Sequence, residues 1–275
     1  MRPRAAATSS VVALVAVVAI AGVAAVARPQ PAATTTHPAA ALARGAPGRF
    51  SRRTYTEHGT VYQYQVFLPH DYDPARTWPV VVALHGSGEK GSDGMRQIRV
   101  GVGPIVQEQA DSFPAVVIFP QVPSTGQGVR YAPAMARLID VVVHEVNGDP
   151  NRVYLTGISF GGVLAWLIAR ERPDRFAALV PISAPLVIQD GDRGTRLSQA
   201  DADAEEARVL RSTPVWIFQG ARDPVVHATD TRARVKTFGQ AGVTVKYTEY
   251  SGPHEIWDTA YRTPELWRWL FAQHR

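Results

Sequence analysis

The sequence contains no cysteine. That absence excludes disulfides, and it excludes the lipid-modified cysteine of an exported lipoprotein, so any folded part must be held by its core alone. Runs of like charge are also missing. The 29 Lys and Arg exceed the 24 Asp and Glu by only five, and Arg2 and Arg4 contribute two of that excess from the first four residues. Without a basic stripe there is no footprint for nucleic acid. No internal repeat occurs, and beyond residue 50 the composition does not change character, which argues against a second domain there. Charged residues are 19% and apolar residues 45%, enough for a sizeable core.

What is present begins with "MRPR" followed by the apolar stretch Val11 to Ala27, which closes in Ala25-Val26-Ala27. A basic start, an apolar middle and an A-x-A ending predict a secretory signal peptide over residues 1–27, and hence a secreted or cell-envelope protein. The competing reading is an uncleaved anchor, and a stretch of about 17 residues lies at the short limit for spanning a bilayer. Residues 28–49 are rich in Ala, Pro and Thr, a composition that cannot offset its own ordering entropy, and are expected to form a disordered tether. "ALA" at 41–43 offers a second cleavage site.

From residue 50 to 275 apolar runs alternate in type, with Gly, Pro or Asp at the joins. The predicted strands are "TVYQYQVFLP", "PVVVALHG", "AVVIFPQ", "RVYLTGIS", "FAALVPIS", "PVWIFQG" and "VTVKYTEY". The first alternates strictly and suits an outer antiparallel strand, whereas "VVVAL" and "AVVIF" suit strands covered on both faces. Helices are predicted around residues 98–110, 134–146, 160–170, 229–239 and 264–273. Such alternation predicts one α/β domain, a mostly parallel sheet with helices on both faces. The polar stretch 187–211 reads either as an ordinary connection or as a small helical excursion over the sheet edge.

Within this pattern Gly157-Ile158-Ser159-Phe160-Gly161 matches G-x-S-x-G, with a strand before it and a helix after it. A strand reversing straight into a helix brings backbones nearly into contact, so glycine is required on both sides. Ser159 is thereby lifted above the carboxyl ends of the strands, next to a helix amino terminus that favours negative charge. A serine hydroxyl needs a base to take its proton and an acid to orient that base. With this turn the partners come later in the chain, in the order acid then histidine, each in a loop after a strand. Asp223 in "GARDPVV" and His254 in "YSGPHEIW" occupy those places. His227 is the rival base, but it precedes the next strand instead of following it. Acyl transfer also needs two donors aimed at the developing oxyanion. The backbone N–H of Phe160 is one; that of Ser87 in "LHGSG" is the other, with His85 as a support for the loop. Trp257, three residues past His254, reads equally as an aromatic wall for substrate and as core packing.

These residues resemble the α/β-hydrolase fold, and more narrowly the bacterial esterases and predicted peptidases near dienelactone hydrolases, feruloyl esterases and polyester depolymerases. The matching stretches are "LHGSGEKGSD", "FPAVVIFPQ", "NRVYLTGISFGG", "RPDRFAALVPIS", "PVWIFQGARDPVV" and "YTEYSGPHEIWDTAY" with "PELWRWLF". The resemblance implies Ser159, Asp223 and His254 as a catalytic triad, Ser87 and Phe160 as oxyanion donors, a small-molecule or polymeric ester as substrate, and neither metal nor organic cofactor. Two features depart from the group. Dienelactone hydrolases use a cysteine nucleophile, which is absent here. The usual "HG" before the aspartate is Gln219-Gly220, and the usual "GH" at the base is Pro253-His254. A small lid or none is expected, which favours an open cleft. A serine peptidase and a silent binding module of the same fold are the rival readings.

Overall fold

A computed structural model describes residues 47–125, 128–186 and 197–275. The predicted signal peptide and nearly all of the predicted tether lie outside the described residues. At its end the tether is already tied down, since Gly48 N–H donates to Leu68 O at 2.9 Å. Eight strands form one sheet: β1 (Phe50–Glu57), β2 (Thr60–Phe67), β3 (Trp78–Leu84), β4 (Val116–Pro120), β5 (Gly148–Ile158), β6 (Ala178–Ile182), β7 (Val215–Gly220) and β8 (Val245–Tyr250). Their order across the sheet is β1-β2-β4-β3-β5-β6-β7-β8. β1 and β2 pair antiparallel with each other, and β2 pairs antiparallel with β4; every pairing from β4 through β8 is parallel.

The outermost strand is β1, which the periodicity reading did not find; β2, expected at the edge, lies one place in. β1 carries Arg52, Arg53 and Glu57 and buries only Tyr55, so its apolar signal is thin. It is fixed instead by a two-residue turn. His58 and Gly59 both take positive φ, 46° and 76°, the backbone that matches a hairpin's twist.

Among the described residues the α-helices are α1 (Val102–Glu108), α2 (Ala132–Glu145), α3 (Phe160–Glu171), α4 (Gln199–Val209), α5 (Ala228–Gln240), α6 (Trp257–Tyr261) and α7 (Pro264–Phe271). α2 to α5 cover one face and α1, α6 and α7 the other, because alternate strand residues point oppositely. Val80, Val82 and Leu84 of β3 join one core layer with Leu138, Leu164 and Phe238. Val81 and Ala83 join the other with Ile105, Ala260 and Leu270. α4 corrects the reading of 187–211: it is the regular crossover between β6 and β7, and not an excursion over an edge. Residues 187–196 before it lie outside the described residues. Among the described residues no helix is long and apolar enough to cross a membrane.

α4 has little apolar surface and is docked by charge. Arg234 of α5, 1% exposed, donates to Asp203 at 2.8 Å and to Ala184 O at 3.2 Å. Arg170 of α3 donates to Glu205 at 2.9 Å and to Glu206 at 3.3 Å. Glu206 is fully buried, and its second carboxyl oxygen has no partner. Burial pushes its carboxyl up to about 7 from the ordinary 4.5, with Arg170 opposing. A carboxyl raised on folding stabilises the fold while it keeps its proton, below about 7, and that contribution is lost as pH rises from 4.5 through 7. Glu206→Gln is therefore expected to gain about 1–3 kcal/mol on wild type between pH 5 and pH 8. Urea unfolding of both proteins at the two pH values measures it; a stability difference independent of pH would refute it.

Candidate active site

The site is built at the carboxyl ends of β5, β7 and β8. β5 runs directly into α3 through Ser159, whose backbone sits at φ 49° and ψ −114°. A non-glycine residue in that region is strained by about 1–3 kcal/mol and persists only where its surroundings over-determine it. They do so here by contact. A Cβ on Gly157 would lie 2.3 Å from Gly161 O, and one on Gly161 would lie 2.3 Å from Leu84 O. Ser159 N–H donates to Ile182 O at 2.9 Å, and Gly162 and Val163 N–H donate back to Ser159 O. The turn is thus clamped between β3 and β6.

His254 Nε2 lies 2.9 Å from Ser159 Oγ, and His254 Nδ1 lies 2.7 Å from Asp223 Oδ2. The three side chains, 95 and 31 positions apart along the chain, form one continuous hydrogen-bonded series. Asp223 is buried, and every lone pair the structure engages is met by N–H. Val225 and Val226 N–H donate to its Oδ1 at 2.8 and 2.9 Å, and Gln219 Nε2 donates to its Oδ2 at 2.9 Å. Asp223 can accept but not donate when ionised, so Nδ1 carries the ring proton and Nε2 faces the serine as an acceptor.

The loops bearing Asp223 and His254 are sewn together. Ala221 N–H donates to Tyr250 O at 2.8 Å and Arg222 N–H to Gly252 O at 3.0 Å. A Cβ on Gly220 would sit 1.9 Å from Pro253 O, so only glycine admits that crossing. His227, the rival base, is exposed at the N-cap of α5. Trp257 opens α6 and stands edge-on to the imidazole, with ring centroids 5.8 Å apart at 89°. It is half-buried against the layer of α1, α6 and α7 while touching His254, which accounts for its packing.

Phe160 is the first residue of α3, where backbone N–H groups have no acceptor within the helix. Ser87 begins a short 3₁₀ turn, Ser87–Glu89, directly after β3 and is exposed. Leu84 pairs in register with Gly157, so this turn starts beside the serine's own. The turn is braced from beneath. His85 Nδ1 donates to Gly86 O at 2.6 Å, and its Nε2 accepts from Val122 N–H at 2.9 Å. Gln121 Nε2 donates to Glu89 O at 3.1 Å and Gly91 N–H to Val122 O at 2.9 Å. Above it, Lys90 Nζ lies 3.8 Å from the ring centroid of Phe160, joining the two candidate oxyanion segments. Gln121, Gln219 and Lys90 were not singled out as functional from the sequence. Gln121 had one visible signal, an uncharged polar residue directly after a solidly apolar strand; Gln219 had two, a polar residue within such a strand and the departure from the usual "HG". Among the described residues no cluster of three or more His, Asp or Glu could hold a metal ion.

This architecture and this arrangement define an α/β-hydrolase of esterase type. The chain matches the model of the Esterase family, described as "Putative esterase", over residues 56–273, and it belongs to that family. Among solved structures it is similar to a thermostable esterase, with a TM-score of 0.70, 30% identity, and coverage of 82% of this chain and 63% of that one. Among curated proteins it is 25% identical over 146 residues to acetylxylan esterase A of Emericella nidulans, covering 48% of this chain and 45% of that protein. It is 24% identical over 188 residues to a bifunctional acetylxylan esterase/xylanase of Neocallimastix patriciarum, covering 66% of this chain and 24% of that protein. The chain therefore spans less than half the length of either curated relative.

The brace has a pH signature. Burial pulls His85 down to about 4 from the ordinary 6.5, with Lys90 adding to the effect and the bond to Gly86 opposing it. A histidine lowered on folding stabilises the fold above 6.5, and its contribution is lost as pH falls toward 4. His85→Gln is expected to be less stable than wild type at pH 7, with the gap closing by up to about 3 kcal/mol by pH 4. Denaturant unfolding across that range tests this, and a gap that stays constant would show that His85 is not held neutral.

Proposed function

We propose that the chain is an exported serine carboxylic-ester hydrolase that works through an acyl-enzyme. The observation that carries this reading is the unbroken series from Ser159 Oγ through His254 to Asp223 on a strained strand-to-helix turn. Ser159 Oγ attacks the ester carbonyl carbon as its proton passes to His254 Nε2. The negative charge that develops on the carbonyl oxygen is met by the N–H groups of Phe160, at the amino end of α3, and of Ser87, in the turn after β3. Collapse of the tetrahedral species breaks the carbon–oxygen bond to the alcohol, which leaves with the proton from His254. Water then attacks the acyl-serine, His254 takes its proton, and the acid departs as Ser159 recovers its own. Asp223 holds the tautomer and stabilises the imidazolium throughout.

Family membership supports ester over amide substrates. The curated relatives are named for acetyl esters of a polysaccharide, which supports a short acyl group on a bulky alcohol. Trp257 beside the imidazole supports an apolar or ring-shaped group on that side.

Ser159→Ala is expected to lower kcat on a p-nitrophenyl acetate assay by about 10⁶-fold while the unfolding midpoint stays near wild type. A fluorophosphonate probe is expected to label wild type at Ser159 and leave the variant unlabelled. Retention of activity by the variant, or absence of labelling in folded wild-type protein, refutes the assignment. For export, amino-terminal sequencing of secreted protein is expected to begin at Arg28 or Arg44. Protein that keeps residues 1–27 in the membrane fraction would overturn the signal-peptide reading.

A further inference from the structure

We infer that Gln219, locked by Thr231, is a positioning residue that directs the charge of Asp223 onto the imidazole; the inference rests on the triad proposed above. Gln219 is the penultimate residue of β7 and is completely buried. Burying an amide without partners is costly, so its bonds are informative. Its Nε2 meets Asp223 Oδ2 at 2.9 Å, Val226 O at 2.9 Å and Gly220 O at 3.3 Å, while its Oε1 accepts from Thr231 Oγ1 at 3.2 Å. All three neighbours of Nε2 are acceptors. Turning the amide over would place Oε1 against three oxygens, so only one orientation satisfies the site; the Thr231 hydroxyl then supplies the donor that Oε1 needs. Thr231 is itself fully buried in the first turn of α5.

The consequence lies at Asp223 Oδ2. That one oxygen faces both Gln219 Nε2 and His254 Nδ1, while Oδ1 is occupied by Val225 and Val226 N–H. Four N–H groups thus hold the carboxylate in one rotation, with Oδ2 aimed at Nδ1. Gln219 also partly disperses the negative charge on that oxygen. Among the described residues His254 is the one charged or titratable side chain bonded to Asp223; Arg222 and His227 in the same loop are exposed. Removing the amide N–H would concentrate charge next to the ring and favour its protonated, inactive form. Gln219 reaches the reaction only through Asp223.

The test is a pH series of kcat/KM on p-nitrophenyl acetate for wild type, Gln219→Met, Gln219→Glu, Gln219→His and Thr231→Val, with Ser159→Ala as reference. Gln219→Met keeps the length but has no N–H. It is expected to lose about 10- to 100-fold in kcat with KM nearly unchanged, the loss of a charge-assisted bond. Its acidic limb should move to higher pH. Gln219→Glu sets a second carboxyl against Asp223 and should move the limb further; Gln219→His restores a ring N–H and should recover most of the activity and the limb. Thr231→Val leaves Oε1 without its partner and loosens the amide, and should give a smaller change in the same direction. Near-UV circular dichroism and thermal unfolding give the folded fraction of each. The inference is overturned if the acidic limb stays at its wild-type position in every variant, with activity falling only in step with the folded fraction. Activity retained by Ser159→Ala would instead remove the triad reading itself, a separate result.

Discussion

The structure depends on a close contact of main chains. Between Gly157 and Gly162 the chain reverses within a space where a single added carbon on Gly157 or Gly161 would lie 2.3 Å from a carbonyl oxygen. Ser159 can hold φ 49° only because the strand ladder on one side and the α3 ladder on the other leave the backbone no relaxed alternative. The half-buried serine is held toward the imidazole because its backbone is confined. A relaxed turn of the same residues would let the side chain fall back onto the helix and would separate it from the imidazole by more than a hydrogen bond.

The same principle, backbone approach permitted by glycine and then fixed by hydrogen bonds, governs the other two functional loops. Gly220 admits Pro253 O at a distance closed to any side chain, which brings the loop after β8 over the loop after β7. The imidazole consequently meets a carboxylate whose position was set by other bonds. The site's electrostatics follow from burial of one carboxylate amid N–H groups, with no cation beside it among the described residues apart from the imidazole when protonated. A buried charge solvated by fixed dipoles needs no reorganisation when the imidazolium forms, which is the advantage of a preorganised site over water.

Much of this was legible in the sequence, and what was not has physical reasons. Ser159, Asp223 and His254 stood out because each occupies a loop after a strand, and strands β3 to β7 announce themselves by continuous apolar runs. β1 escaped because an exposed edge strand needs few apolar residues; its pairing is set by the turn at His58-Gly59 and not by burial. α4 was ambiguous because it is docked through Asp203 and Glu206 to arginines on other helices, and ion pairs leave no periodicity. α6 is five residues long, too short for any period to show. The glutamines at 121 and 219 were visible as polar residues in or directly after apolar strands, but their partners lie in other loops, so their bonds exist only once the chain has folded. Spacing along the chain can nominate a nucleophile and its base; it cannot say which amide orients the acid.

This division bears on where specificity resides. The groups that hold the reacting atoms, His85, Gln121, Gln219, Asp223 and Thr231, are buried and have their bonds committed to one another or to backbone. On the proposed mechanism, a substitution there would disturb the chemistry for every substrate alike. Near the triad stand Ser87, Lys90, Val225 and Trp257, which are exposed or half-buried and carry few fixed bonds through their side chains. Val225 is 66% exposed two positions past Asp223, although its backbone N–H is bound to that carboxylate. At Val225, therefore, the backbone is committed to the carboxylate while the side chain stays free at the surface. A fold arranged this way can exchange one ester for another by changing such side chains, leaving the strained turn and its buried supports intact.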